Sequence, residues 1–132
     1  MQLEPNMYVR TNKGIAKVKK LDDLDNVAWT DNKNIFFGIK RPSGKLYFEL
    51  YDDGTVLKAS HNIIDLIEVG DYVNGERVLK TNCNLLYYDD ELGEEQDVAD
   101  ALHLESSWIY WENEIETIVT KEQFEAMAYK VV

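Results

Sequence analysis

Cysteine is almost missing: Cys83 stands alone, so no internal disulfide can form and a disulfide-stapled secreted scaffold is excluded. Apolar runs are short, none near the roughly 18 residues a membrane helix needs. The N-terminus lacks the apolar stretch of a signal peptide, so a cytoplasmic protein is expected. Histidine occurs twice, at His61 and His103; with one cysteine they cannot make a closed zinc site. No histidine or cysteine sits in a motif that would orient a nucleophile and its base, and no enzyme is expected. The seven glycines are scattered singly, without phosphate-loop spacing. No cofactor or metal is implied.

What remains is a chain of 132 residues with 45% hydrophobic side chains, enough to bury a core. Its formal charge is −11. Free binding to nucleic acid or to an anionic membrane does not suit that sign. The charge is unevenly placed. Residues 1–80 hold 12 basic and 12 acidic side chains; residues 81–132 hold 2 and 13. The stretch 89–116 has eleven acids and no Lys or Arg, whereas residues 1–20 are net +4. Such asymmetry bears on partners, although many charge runs are plain solvated faces.

Turn signals separate many short apolar-polar alternations, which read as strands. Met7–Thr11 and Ile15–Lys19 flank Asn12-Lys13-Gly14. Ile35–Ile39 and Lys45–Tyr51 flank Arg41-Pro42-Ser43-Gly44, with Leu46, Phe48 and Leu50 on one face. Asp53-Gly54 leads into Thr55–Lys58. Asn74-Gly75, between Tyr72-Val73 and Glu76–Leu79, is the strongest hairpin signal. Asn84–Tyr88, Ser107–Trp111 and Ile115–Val119 add further strands. Thr120-Lys121-Glu122-Gln123 is a capping box opening a helix over about 121–128, with Phe124 and Met127 expected against the barrel. The expected fold is one mainly β domain over 1–132: a small antiparallel SH3-like β-barrel with a short C-terminal helix and an acidic insertion.

That insertion, 89–106, has Val98, Ala101, Leu102 and Glu105 at helical intervals behind acids that suit a helix N-terminus. It is expected to be an acidic loop with a helix at about 94–104. A calcium loop fails there: counting from Asp89, glycine falls at position 5 rather than 6. Aromatics follow the acids, and on a strand Trp108 and Tyr110 would share one face, Ile109 and Trp111 the other.

Three blocks carry a resemblance. Ser60-His61-Asn62-Ile63-Ile64-Asp65-Leu66-Ile67-Glu68-Val69-Gly70-Asp71-Tyr72-Val73-Asn74-Gly75 resembles a segment of a family of small phage- and prophage-associated proteins of Gram-positive bacteria. Ile115–Phe124 resembles the C-terminal signature of the same family, and Met7–Ile15 also fits. The family carries no agreed activity, so no catalytic residue transfers, and residues 81–114 depart from its pattern. The resemblance implies a phage context inside a bacterial host cell, where small accessory proteins act by stoichiometric binding.

Three roles follow as expectations. The first is an anti-defence inhibitor of anti-CRISPR type. Its acids would mimic a phosphate backbone and block a basic groove on a host nuclease or other nucleic-acid-binding protein. Its partner-binding residues would be Asp89, Asp90, Glu91, Glu94, Glu95, Asp97, Asp100 and Glu105, with Trp108 and Trp111 as anchors. The second is a sponge for a small nucleotide signal, with Arg10, Lys13, Lys40, Arg41 and Arg77 as the phosphate-binding cations, a pocket that a homo-oligomer would help to build. The third is a structural or regulatory interaction module.

Overall fold

The computed structural model describes residues 2–51 and 53–131, apart from the side chain of Tyr87. Strand makes up 48% of the chain and helix 11%, so the protein is mainly β. Both sheets are antiparallel and curled in the manner of a half-barrel. The chain divides into two compact units, Met1–Leu66 and Ile67–Val132.

The first unit holds β1 (Gln2–Leu3), β2 (Tyr8–Thr11), β3 (Gly14–Asp22), β4 (Val27–Thr30), β5 (Phe36–Lys40), β6 (Phe48–Leu50) and β7 (Val56–Ser60). They form one sheet in the order β1-β6-β5-β4-β3-β2-β7. Alternation decides its inner face. Val9 lies opposite Ala16, and Leu21, Ala28 and Phe37 form a row across three strands. With Leu3, Met7, Val18, Ile35 and Ile39 they make the core. The two-residue loop Asn12-Lys13 ends on Gly14 at φ 124, where a side chain would be strained.

Two expectations change here. Strand β6 starts at Phe48, and Leu46 lies outside it, 94% exposed in the turn. Arg10 is fully buried. Strand β2 is covered on both faces, because the 3₁₀ turn Ile63–Leu66 lies over its outer side. There an Arg10 guanidinium N–H donates to the Leu66 carbonyl at 2.9 Å.

The second unit holds β8 (Tyr72–Val73), β9 (Glu76–Asp89), β10 (Glu94–Leu104), β11 (Trp108–Ile109), β12 (Ile118–Val119) and α1 (Lys121–Met127). The sheet order is β11-β10-β9-β8-β12. Its buried apolar side chains include Ile67, Val73, Val78, Val98, Ala101, Leu102, Leu104 and Ile109.

This unit is tied together by polar side chains of one hairpin. Asn74 and Gly75 have φ of 52° and 81°, as a two-residue hairpin turn requires. The Asn74 carboxamide then works across the turn. Its Nδ2 donates to the Glu114 carbonyl at 2.9 Å, and its Oδ1 accepts from the Glu116 and Thr117 amides at 2.7 and 3.1 Å. Glu76 accepts from the Ser106 amide and hydroxyl, both at 2.7 Å, and from the Ser107 hydroxyl at 2.8 Å. Asp71, buried, accepts from the Lys121 amide at 2.9 Å and the Glu68 amide at 2.7 Å.

Helix α1 starts as its sequence implies. The Gln123 amide donates to Thr120 Oγ1 at 3.2 Å, and Gln123 Oε1 accepts from the Thr120 amide at 3.0 Å. Its apolar side is not in the core, however. No residue of the helix is buried; Phe124 stacks on Tyr72 at 5.0 Å and Met127 is 82% exposed. Side chains from the strands already occupy the interior, and the seven-residue helix lies outside them.

Two tests address these ties. Asp71→Ala leaves the Lys121 and Glu68 amides without their acceptor, so unfolding free energy should fall by about 1–3 kcal/mol, read by urea titration of tryptophan fluorescence. The serine hydrogen bonds, led by the Ser106 hydroxyl, hold Glu76 below the usual carboxylate range. Its stabilising contribution is therefore complete above the ordinary glutamate pKa and lost as pH falls through the lowered folded value. The thermal midpoint of wild type should exceed that of Glu76→Gln at neutral pH, with the gap closing below about pH 4.

Candidate protein-binding ribbon

The acids expected on a loop or helix lie on a β-ribbon. Strands β9 and β10 pair directly, and their outer part forms a regular ladder: Asp89 opposite Glu94, Tyr88 opposite Glu95, Leu86 opposite Asp97 and Leu85 opposite Val98. Asp89 builds the connecting turn. Its Oδ1 accepts from the Glu91 and Leu92 amides at 2.9 and 3.3 Å, its carbonyl accepts from the Gly93 amide, and Gly93 takes φ 69°. The acids that resembled a helical first turn are thus a hairpin tip.

The helical spacing of Val98, Ala101 and Leu102 has a different origin. Between Val98 and Ala101 the ladder slips, with Ala99 and Asp100 opposite Asn84 alone. Asp100 sits at φ 60°. A second slip places Thr81 and Asn82 opposite Leu102, with Asn82 at φ 55°. The bulge in β10 inserts one residue, so the inward positions Val98 and Ala101 fall three apart, as they would on a helix. Asp and Asn are among the few non-glycine residues that tolerate this backbone.

Beyond the bulges, Leu85–Asp89 and Glu94–Val98 form an arm. Opposite residues point to one face. One outer face therefore carries Leu86, Tyr88, Glu95 and Asp97, with Leu86 67% and Tyr88 60% exposed. Asp90, Glu91, Glu94 and Glu95 are also exposed. Within this unit, no acid of 89–105 among the described residues is in an ion pair. Asp89 and Glu94 face each other at the last rung, where like charges are unfavourable.

Charge follows the two units closely. The first has ten basic and nine acidic side chains; the second has four and sixteen, net −12. Six of the ten expected partner-binding residues (Asp89, Asp90, Glu91, Glu94, Glu95 and Asp97) share the arm and its tip. Asp100 shapes the bulge. Glu105, Trp108 and Trp111 lie at the opposite end of β10, roughly 30 Å of strand from the tip. There Trp108 stacks on His103 at 4.2 Å. Strand β11 ends at Ile109, so Ile109 is buried while Trp111 is exposed in the turn that follows, and the two do not share a strand face.

Within the first unit, the cations expected for nucleotide binding do not share one cleft. Arg10 is buried, and Arg77 is on β9 of the second unit. Lys13 lines one cleft of about 320 Å³ with Thr11, Asn34, Phe36 and Asp53. Lys40 and Arg41 line another of about 420 Å³ with Asn26, Gly38 and Tyr51. Arg41 lies 3.7 Å from the Asp23 carboxylate and over the Phe48 ring, and Lys40 is directly opposite Glu49.

Among the described residues, no three His, Cys, Asp or Glu side chains converge as metal ligands would. No helix among them is long and apolar enough to cross a membrane. Comparison with protein-family models, with curated proteins and with solved structures found no match to this chain.

The bulge is open to test. Asp100→Val puts a β-branched residue at positive φ and should cost about 1–3 kcal/mol in chemical denaturation. Asp100→Gly should leave stability within about 1 kcal/mol of wild type.

Proposed function

We propose that this protein is a non-catalytic binder whose acidic β-ribbon docks in a basic groove of a nucleic-acid-handling partner. The observation that carries this reading is the arm: six carboxylates on one hairpin, none of them in an ion pair within the unit, with like charges facing each other at its last rung. Carboxylates two residues apart on a strand stand about 7 Å apart. That is about the rise of two base steps along the axis of duplex DNA. Lys and Arg placed in the partner's groove to neutralise phosphates attract fixed carboxylates by the same force, and with the same sensitivity to salt.

The family resemblance of residues 60–75 and 115–124 supports a setting in a phage-infected bacterial cell. In that setting the basic partner would be a host defence nuclease, and occupying its groove would inhibit it.

The test is capture from a Gram-positive host lysate on the immobilised protein, beside a variant carrying Asp89→Asn, Asp90→Asn, Glu94→Gln and Glu95→Gln. Wild type should retain a basic nucleic-acid-binding protein that elutes with salt and competes with added DNA or RNA. The variant should bind that protein at least tenfold more weakly. Equal retention by both proteins, or retention indifferent to salt and nucleic acid, would reject the reading.

A further inference from the structure

The arm offers more than charge, because the backbone along its sides is unpaired. Strand β8 meets β9 only at Glu76 and Arg77. Strand β11 meets β10 only at Leu102 and His103. Among the described residues, no strand pairs with Glu94–Ala101 on the side away from β9. The outward N–H and C=O groups there form an open template for another strand. The bulge at Ala99–Asp100 separates Glu94–Val98 from the part of β10 that pairs with β11, so a strand could be added without displacing β11.

The occupant follows from the side chains. A strand laid beside β10 would meet Glu95 and Asp97 on one face and Glu94 on the other, with Leu86 and Tyr88 one strand further in. A second copy would bring the same carboxylates against themselves, and like charges directly opposite are unfavourable. An extended segment with Lys or Arg at alternate positions and apolar residues between them would satisfy both the ladder and the charges.

We infer that the ribbon engages its partner by strand addition: a basic, extended segment of the partner pairs with the open β10 edge over Glu94–Val98. This rests on the acidic-ribbon reading above and specifies how that ribbon binds. Main-chain hydrogen bonds would supply register, and the carboxylates would select the basic strand.

The test uses the full-length protein and a synthetic peptide of alternating Lys and Val. A control peptide has the same sequence with every second backbone amide N-methylated, which keeps the charge and removes the hydrogen bonds on one side. Two control peptides, methylated in opposite phase, ensure that one blocks the pairing edge. The unmethylated peptide should bind and slow amide hydrogen exchange along Glu94–Val98. One methylated form should bind at least tenfold more weakly. The variant Glu95→Lys with Asp97→Lys, checked by circular dichroism for an intact fold, should lose binding by a similar factor.

Equal binding of all three peptides would overturn strand addition while leaving electrostatic docking intact. No binding of any peptide would also overturn it, and the lysate capture would then judge the acidic ribbon separately. A wild-type dimer that protects the same amides would replace the basic segment with a second copy.

Discussion

The second unit depends on one short hairpin. Within Asp71–Glu76 three side chains each reach a different part of the chain: Asp71 the start of α1, Asn74 the segment 114–117, Glu76 the turn between β10 and β11. The Asn-Gly turn makes this feasible. Positive φ at Asn74 turns the chain tightly and leaves its carboxamide free to bridge outward. Short strands such as β8, β11 and β12 have two residues each, too few to persist alone. Side-chain bonds from the hairpin hold them where ladder bonds are few.

That arrangement leaves the long β9–β10 ribbon free to extend beyond the base. The core of the unit ends near Val98, and outward from it no described side chain of the ribbon is buried. Carboxylates along an edge keep a strand from pairing with its own copies. The same carboxylates favour a cationic partner. In the proposed complex, the same surface would select the cationic strand.

Much of this was legible along the chain. Asn74-Gly75, Asn12-Lys13-Gly14 and the Thr120–Gln123 capping box act through residues two or three apart, and each appears as read. The acidic segment was legible in charge but not in shape. Its β10 bulge places the buried Val98 and Ala101 three apart, and on that pattern a bulged strand and a helix are alike. The partner strand that settles the matter lies outside the local window. The same holds for Arg10, whose polar side chain marks an outer face on an isolated strand but is covered here by the turn at Ile63–Leu66.

The sequence by itself determined that the chain would be mainly β, where its tightest turns fall, and that its negative charge lies in its second half. These properties depend on composition, on period-two alternation and on contacts within a few residues. The tertiary structure alone decided that the acids ride on a β-ribbon, that Phe124 and Met127 stay outside the core, and that the cations of the first unit are dispersed. Each of those outcomes is set by which distant strand takes a given place, and that competition for interior space and for hydrogen-bond partners is resolved only when the whole chain has folded.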